Sequence, residues 1–85
     1  MIRKSVQMKL DGGLEARKVA MLVQLASQYE SSVYIESAEK KVNAKSIMGM
    51  MGLGLGSGDT ATVLADGSDE EAAVAGIEKF FDGGQ

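Results

Sequence analysis

The chain has 85 residues, 45% of them apolar and 25% charged, with twelve acidic against nine basic side chains and a net charge of −3. Length and composition predict one folded domain, 1–85, and the absence of cysteine and histidine excludes disulfides, thiolate metal sites and phosphohistidine chemistry. The negative charge argues against direct nucleic-acid binding, no apolar run approaches the roughly 20 residues of a membrane span, and the mixed N-terminus is unlike a signal peptide, so we expect a cytoplasmic protein.

The first half of the chain predicts a strand, a helix and a pair of strands. Apolar residues alternate over 2–10, as in a half-buried strand, and Asp11-Gly12-Gly13 predicts a turn. Over 16–28 the apolar spacing is helical. The apolar face of this helix is Ala16, Val19, Ala20, Val23 and Ala26, widened by Leu22, Leu25 and Tyr29. Short alternating segments at 33–35 and 42–44 predict two strands joined by a hairpin.

The second half predicts a short helix, a strand and a final helix. Ser46 begins a helix that extends to about Leu53, and the glycines at 54, 56 and 58 end it. Residues 60–65 alternate again and predict the fourth strand, followed by an Asp66-Gly67 turn.

The last helix has the clearest predicted start in the chain. Ser68 is predicted as its N-cap and Glu71, three residues later, as the partner in a capping box. Gly83 is predicted to close it. The apolar stripe is Ala73, Val74, Ile77, Phe80 and Phe81. The resulting order, βαββαβα, predicts an α+β sandwich in which a four-stranded sheet carries helices on one face.

The element order, the length and two local motifs resemble HPr, the histidine-containing phosphocarrier protein of the bacterial sugar phosphotransferase system. The similarity extends over about 6–81, and it implies an HPr-like open-faced β-sandwich with an antiparallel sheet. The more specific motif is V-N-A-K-S-I-M-G-M-M at 42–51. It resembles the family's regulatory segment, with Ser46 in the place of the serine that HPr kinase/phosphorylase modifies.

The second motif departs from the family pattern. The carrier site G-[IL]-H-A-R-P-A reads G-L-E-A-R-K-V here, so Glu15 stands in the place of the phosphorylated histidine and Lys18 replaces the proline. The chain is therefore most similar to the catabolite-repression (Crh-like) branch, which lacks the histidine but keeps the serine. That branch has glutamine where this chain has Glu15. The family's hairpin glycine is replaced by Glu39, which predicts a strained or reshaped turn.

Ser46 has two compatible interpretations. From the residues alone it is a helix N-cap, which stabilises a helix by about 1 kcal/mol. The resemblance implies a regulatory phosphorylation site, and a phosphate there would lie near free backbone N–H groups and the positive end of the helix dipole. Lys40, Lys41 and Lys45 are candidate counter-charges, although three neighbouring lysines are also typical of a solvated surface.

The apolar segment 43–58 could be core, linker, membrane contact or docking surface. Ile47, Met48 and Met51 recur at helical spacing, and a helix this short cannot bury all of them. Met50 is predicted as core. The resemblance implies that Ile47 and Met48 belong to a partner-binding patch, to which we also assign Met51, Lys45 and Arg17, because exposed methionines suit a surface that meets several partners.

Glu15 has three interpretations. Its carboxylate caps the first helix or pairs with Arg17, it mimics a phosphorylated histidine, or it marks an acyl phosphate or an engineered replacement. A carboxylate at a helix N-terminus is stabilising by about 0.3–1 kcal/mol. Arg17, the arginine of the carrier motif, suits bidentate binding of phosphate or carboxylate, and its alternative role is a salt bridge on the helix surface.

The resemblance implies a regulatory protein and not an enzyme. We expect HPr kinase/phosphorylase and a lac-repressor-type regulator, catabolite control protein A, as partners, with other phosphotransferase-system proteins as further partners. An alternative is a phosphotransferase-system protein in which Glu15 mimics phosphohistidine and regulates a permease or an enzyme independently of Ser46. We assign no catalytic residue, metal ligand or cofactor, because the chain offers no histidine, cysteine or paired carboxylates for acid–base chemistry.

Overall fold

The computed structural model describes residues 1–10 and 12–83, so the Asp11 position of the predicted first turn lies outside the described residues. The elements are β1 (Ile2–Gln7), α1 (Ala16–Ser27), β2 (Ser32–Ser37), β3 (Lys40–Asn43), α2 (Ile47–Met51), β4 (Thr60–Asp66) and α3 (Glu70–Phe81). This is the predicted βαββαβα order.

The four strands form one antiparallel sheet in the order β1-β4-β2-β3. β4 lies between β1 and β2, and β3 completes the sheet beside β2. The three helices pack on one face, against the inward residues of the strands, among them Val33, Ile35 and Val63. The structure therefore confirms the α+β open-faced sandwich, with β1 and β3 as its two edges.

β1 ends earlier than the sequence pattern predicts. The alternation extends to Leu10, and Met8 and Leu10 are both buried. The regular ladder with β4 nevertheless ends at Gln7. The Met8 amide still donates to the Asp59 carbonyl at 2.8 Å, but the Met8 carbonyl accepts from the Gly58 amide at 2.7 Å, and the Lys9 amide donates to the Phe81 carbonyl at 2.9 Å. The alternation of buried and exposed residues therefore continues beyond the last residue of β1.

The buried side of α1 is narrower than predicted. Val19, Leu22, Val23 and Ala26 are buried, but Ala16 and Ala20 are exposed. At about 100° per residue, Ala16 and Ala20 lie about 60° and 100° from Val19, on the same flank and outside the arc that faces the sheet. The prediction that these two alanines belong to the buried face is therefore wrong.

The predicted cap of α3 is also wrong. The N-cap is Asp69 and not Ser68, and Glu71 is exposed. The carboxylate of Glu70, the first residue of the helix, accepts a hydrogen bond from the Gly67 amide at 3.1 Å, which satisfies a backbone donor ahead of the helix but is not a capping box with Asp69. Asp69 is held by residues from a different part of the chain, which delays the start of the helix.

The rest of α3 follows the prediction. All five residues of its apolar stripe are buried. Gly83 follows the C-cap residue Asp82 and has a positive φ of 88°, so this glycine ends the helix as predicted.

The strained residue of the β2–β3 hairpin is Ala38 and not its neighbour Glu39, for which the strain was predicted. Ser37 pairs with Lys40, which leaves Ala38 and Glu39 as a two-residue loop. Ala38 has a φ of 54°, in the left-handed region that favours glycine. The strain predicted for Glu39 therefore falls on Ala38.

Candidate functional site

Ser46 is the N-cap of α2, as the sequence predicts. Its backbone is extended, with φ −110° and ψ 115°, and its hydroxyl oxygen accepts a hydrogen bond from the Gly49 amide at 3.2 Å. Its carbonyl accepts from the Met50 amide at 3.0 Å. The residue is half-buried, so Ser46 lies at the beginning of the helix and is partly accessible to solvent.

The turn before Ser46 is built by Asn43. The side-chain oxygen of Asn43 accepts from the Lys45 amide at 2.8 Å, and its carbonyl accepts from the Ser46 amide at 3.0 Å. Asparagine commonly forms such local bonds to the backbone two residues ahead. Asn43 thereby fixes the direction in which the chain enters α2.

α2 is shorter than predicted, and Gly49 in its middle lies close to Ser46 and Val42. It ends at Met51, with Gly52 as the C-cap, whereas the sequence predicts an end at about Leu53. A Cβ on Gly49 would lie 3.4 Å from the Ser46 hydroxyl oxygen and 3.5 Å from the Val42 Cβ. Glycine at this position therefore leaves room for the cap and for the contact between α2 and β3.

The three lysines predicted as counter-charges for Ser46 bind other groups. Lys45 Nζ donates to the Tyr29 carbonyl, just beyond the end of α1, at 2.7 Å, and Lys40 Nζ donates to the Gly52 carbonyl at 3.0 Å. Lys41 Nζ lies 4.9 Å from the centre of the Tyr34 ring. Two of these ammonium groups bind carbonyls near helix C-termini, where positive charge is favoured.

The apolar side chains of α2 divide into two groups. Met50 is buried in the core, which confirms its prediction. Ile47, Met48 and Met51 are exposed. The short helix therefore carries an apolar surface, here called the α2 patch and defined as Ile47, Met48 and Met51.

Glu15 and Arg17 lie at the beginning of α1. Glu15 is the N-cap residue, and its carbonyl accepts from the Val19 amide at 2.8 Å, but its carboxylate makes no capping hydrogen bond. Both side chains are exposed. Within the described ranges, 1–10 and 12–83, no ion pair joins Glu15 to Arg17. Glu15 is therefore the N-cap residue of α1, as predicted, but its carboxylate neither caps the helix nor pairs with Arg17.

The start of α1 is fixed to the loop that follows α2. The Leu14 amide donates to the Leu55 carbonyl at 2.9 Å. Gly13 is buried with a φ of 74°, and a Cβ there would lie 2.8 Å from the Leu55 carbonyl oxygen. α1 also contacts α2 directly. These contacts hold the start of α1 beside the segment that carries the α2 patch.

The shifted pKa values occur at the opposite end of α1 from Glu15. The hydrogen bond from the Ser31 hydroxyl lowers the pKa of Asp69, and two backbone amides, of Glu30 and Ser31, lower it further. The Gly67 amide lowers the pKa of Glu70, assisted by the N-terminal ammonium group. These pKa shifts arise from structural hydrogen bonds around the start of α3. They do not involve the residues that the sequence predicts as the functional site.

One surface was not identified from the sequence. An open groove of about 340 Å³ runs between α1 and α3, and its apolar lining includes Met21, Leu25 and Phe80. Met21 and Leu25 are four residues apart, a spacing that the helical pattern contains but that does not distinguish a groove from buried core. No helix in 1–10 and 12–83 is long and apolar enough to span a membrane. In the same residues no three potential ligands are grouped as a metal site requires.

Comparison with known proteins gives consistent matches across this chain. The family model for the PTS HPr component phosphorylation site matches residues 2–82. The HPr-like protein Crh of Halalkalibacterium halodurans is 46% identical over 82 residues, which cover 96% of this chain and 98% of that protein.

Two solved structures, one of an HPr and one of a Crh, have the same fold as this chain. The phosphocarrier protein HPr from Bacillus anthracis superposes with a TM-score of 0.92 at 41% identity, covering 94% of this chain and 95% of that chain. The Bacillus subtilis Crh crystal structure, described as a dimer with a swapped domain, has a TM-score of 0.80 at 39% identity and covers 100% and 98% of the two chains.

Proposed function

Because the chain belongs to the HPr family of the phosphotransferase system, we propose that it is a cytoplasmic regulatory member controlled by phosphorylation of Ser46. HPr kinase/phosphorylase adds the phosphate from ATP. The phosphorylated chain then binds catabolite control protein A as its corepressor, and that partner makes the DNA contacts. The chain itself catalyses no reaction and carries no phosphohistidine.

The position of the Ser46 hydroxyl is the observation that carries this proposal. It belongs to a half-buried residue, the N-cap of α2, and already accepts a hydrogen bond from the Gly49 amide. A phosphate on this oxygen adds acceptor oxygens and negative charge next to the first amides of the helix, where both are stabilising. The modification therefore requires no rearrangement of α2.

The α2 patch supports a partner surface beside the phosphate. Ile47, Met48 and Met51 present apolar area to solvent within the helix that Ser46 caps. The contact between the start of α1 and the loop after α2 places Arg17 on an element adjacent to this patch. A partner that reads a phosphate, an arginine and apolar side chains together would discriminate the modified chain from the unmodified one.

Lys45 keeps in this proposal the two roles that the sequence suggested, a counter-charge for the phosphate and a contact for the partner. Its ammonium group binds the Tyr29 carbonyl at 2.7 Å in the unmodified chain. We propose that it contributes to partner binding through its position next to Ser46, and that it exchanges the Tyr29 carbonyl for the phosphate or for a carboxylate of the partner.

The direct test uses purified kinase and mass spectrometry. The wild-type chain is incubated with HPr kinase/phosphorylase and ATP, and we expect one phosphate, located on Ser46. Ser46→Ala should remove both the label and the binding of catabolite control protein A. Ser57→Ala is the matched control, because Ser57 is an exposed serine in the following loop and its loss should change neither result. Equal binding by unlabelled Ser46→Ala would contradict the mechanism.

The loss of carrier activity has its own test. A carboxylate at position 15 cannot form the phosphoryl–nitrogen bond of a phosphohistidine, so phosphoenolpyruvate and enzyme I should not label the chain. Glu15→His restores the imidazole beside Arg17 and should recover some labelling. Rapid and stable labelling of the wild-type chain by enzyme I would contradict this part of the proposal.

A second candidate function rests on the exposed Glu15 carboxylate. This side chain makes no capping bond and is presented to solvent at the start of α1, where a phosphorylated histidine would present its charge. In this alternative Glu15 mimics that charge and tunes a permease or an enzyme without Ser46. Glu15→Gln would then abolish the effect on that target and Ser46→Ala would leave it intact, which is the reverse of the first proposal.

A further inference from the structure

Methionine is the main oxidisable residue type in this chain. There are six methionines, and cysteine, tryptophan and histidine are all absent. The thiols and heteroaromatic rings that usually compete for an oxidant are therefore missing, and the methionine thioether is the most readily oxidised group that remains. Its oxidation to the sulfoxide is a reversible modification.

The fold makes the methionine sulfurs very unequal in their access to solvent. Met48 is 87% exposed and Met51 is 56% exposed, whereas Met50, in the same helix, is 1% exposed and Met8 is also 1% exposed. A peroxide must contact the sulfur to react, so accessibility decides which thioethers are modified. One short helix thus contains two solvent-exposed methionines and one buried methionine.

We propose that Met48 and Met51 form a reversible oxidation site that switches off the α2 patch as a docking surface. The inference rests on the proposed function, since the patch must contact a partner for the switch to act. The oxidant is hydrogen peroxide or another hydroperoxide. The sulfur attacks one peroxide oxygen, the O–O bond breaks, and the sulfur gains that oxygen while the other leaves as water, or as an alcohol when the oxidant is an organic hydroperoxide, so the thioether loses two electrons and the peroxide gains them.

The consequence follows from the polarity of the product. A sulfoxide oxygen is a strong hydrogen-bond acceptor, and burying it against an apolar partner surface without a donor is costly. The cap of α2 joins Ser46 to Gly49 and involves neither sulfur, and Met50 remains in the core. Oxidation should therefore change the surface of the helix and leave its fold in place.

Reversal needs a partner that supplies electrons. The chain has no cysteine, so it cannot reduce its own sulfoxides through an internal disulfide. Methionine sulfoxide reductases consume two thiols per sulfoxide, releasing water and forming a disulfide on the reductant, and their two classes act on the two sulfur epimers. An exposed position on a surface helix is accessible to such an enzyme.

The first arm of the test maps the reaction without any partner. The chain is treated briefly with hydrogen peroxide and digested with trypsin, and tandem mass spectrometry locates the added oxygen. Peptide 46–79 contains Met48, Met50 and Met51 together, so Met50 is an internal control in the same peptide. Oxidation of Met48 and Met51 should be at least about tenfold faster than that of Met50, and equal rates would overturn the proposal.

The second arm measures the effect on binding. The chain is phosphorylated first and then oxidised, and its Kd for catabolite control protein A is measured before and after. We expect a rise in Kd of about tenfold or more, reversed by a mixture of both reductase classes with a thiol. Circular dichroism should show an unchanged fold.

Matched variants assign the effect to the two sulfurs. Leucine has a similar volume to methionine but cannot be oxidised, so the ratio of Kd after peroxide to Kd before should stay near one for the double variant Met48→Leu/Met51→Leu. Met21→Leu removes another exposed methionine and should keep the full ratio. The switch would be overturned if oxidation left the Kd of the wild type unchanged. It would also be overturned if the ratio of Kd after peroxide to Kd before were as large in the double variant as in the wild type. Failure of the reduced, phosphorylated chain to bind at all would instead overturn the proposed function on which it rests.

Discussion

Ser31 and Asp69 join the end of α1 to the start of α3. The Ser31 hydroxyl donates to a carboxylate oxygen of Asp69 at 2.5 Å, and the amides of Ser31 and Glu30 donate to the same carboxylate at 2.9 Å each. Ser31 is the one buried polar residue in the described part of the chain. Gly67 fits beside it, since a Cβ there would lie 2.7 Å from the Ser31 Cα. The carboxylate of Asp69, before α3, thus accepts three hydrogen bonds from the loop that follows α1.

The first prediction concerns pH. These hydrogen bonds lower the pKa of Asp69 below its ordinary value of 3.8, so the unfolded chain binds a proton that the folded chain does not over the interval between the two values. The stabilisation is complete above the ordinary pKa and is lost as pH falls through the folded pKa. Asp69→Asn should unfold more easily at neutral pH, and its deficit relative to wild type should shrink in acid. Denaturant unfolding over a pH series measures this, and parallel pH curves for the two proteins would contradict it.

The second prediction isolates the buried hydroxyl of the same contact. Ser31→Ala leaves Asp69 with its two backbone donors and removes the side-chain bond. The bond satisfies a buried hydroxyl with a charged acceptor, so its loss should lower the free energy of unfolding, and by more than the control substitution does. Ser32→Ala, at an exposed neighbouring serine, should change it by less than about 0.5 kcal/mol. Equal effects of the two substitutions would show that the bond adds nothing.

The third prediction separates stability from docking within α2. Met50→Ala empties a core position and should lower the free energy of unfolding by about 2–5 kcal/mol. Met48→Ala removes a solvent-exposed side chain and should change it by less than about 0.5 kcal/mol, while weakening binding to the proposed partner. Chemical denaturation and a binding titration measure the two effects. A large loss of stability in Met48→Ala would mean that this side chain is not the free surface group described above.

The fourth prediction tests the contact between the start of α1 and the loop after α2. Gly13 and Gly54 both have positive φ, 74° and 69°, so alanine at either position should cost about 1 kcal/mol in backbone strain. Only at Gly13 would the added Cβ collide with backbone, 2.8 Å from the Leu55 carbonyl oxygen, whereas the space beside Gly54 is open.

The two alanine variants therefore form a matched pair. Gly13→Ala should be less stable than Gly54→Ala by about a further 1–3 kcal/mol, the usual cost of forcing extra atoms into a packed site. Amide exchange near Leu14 should accelerate only in the first variant. If the two variants unfold at the same denaturant concentration, the packing at Gly13 is looser than its geometry indicates.

Local patterns in the sequence were sufficient to predict the order of elements and part of the site. Strand alternation and helical spacing located all seven elements, because one face of each long element is buried. Ser46 as a cap and Met50 as core were also predictable, since both depend on residues within one turn of α2. These are features in which a residue's environment is made mostly by its sequence neighbours.

The errors arose where the deciding partner is distant in sequence. α3 begins at Glu70, after the N-cap Asp69, whose carboxylate binds the amides of Glu30 and Ser31, 39 and 38 residues earlier. Lys45 binds the Tyr29 carbonyl, 16 residues away, a contact that its position next to Ser46 in the sequence does not predict. At the hairpin, the strain moved to Ala38 because strand pairing closed the loop at Ser37 and Lys40. No local pattern contains this information.

The two edges of the sheet also bear on how the protein behaves at high concentration. An edge strand presents unpaired amides and carbonyls that can recruit another chain and start fibril growth. One edge here is only four residues long, begins with Lys40 and Lys41, and follows a kinked loop; the other carries Lys4, which pairs with Glu78 at 3.0 Å. Charged side chains at both edges, together with the shortness of β3, disfavour the addition of another chain to either edge, and this protection needs no disulfide.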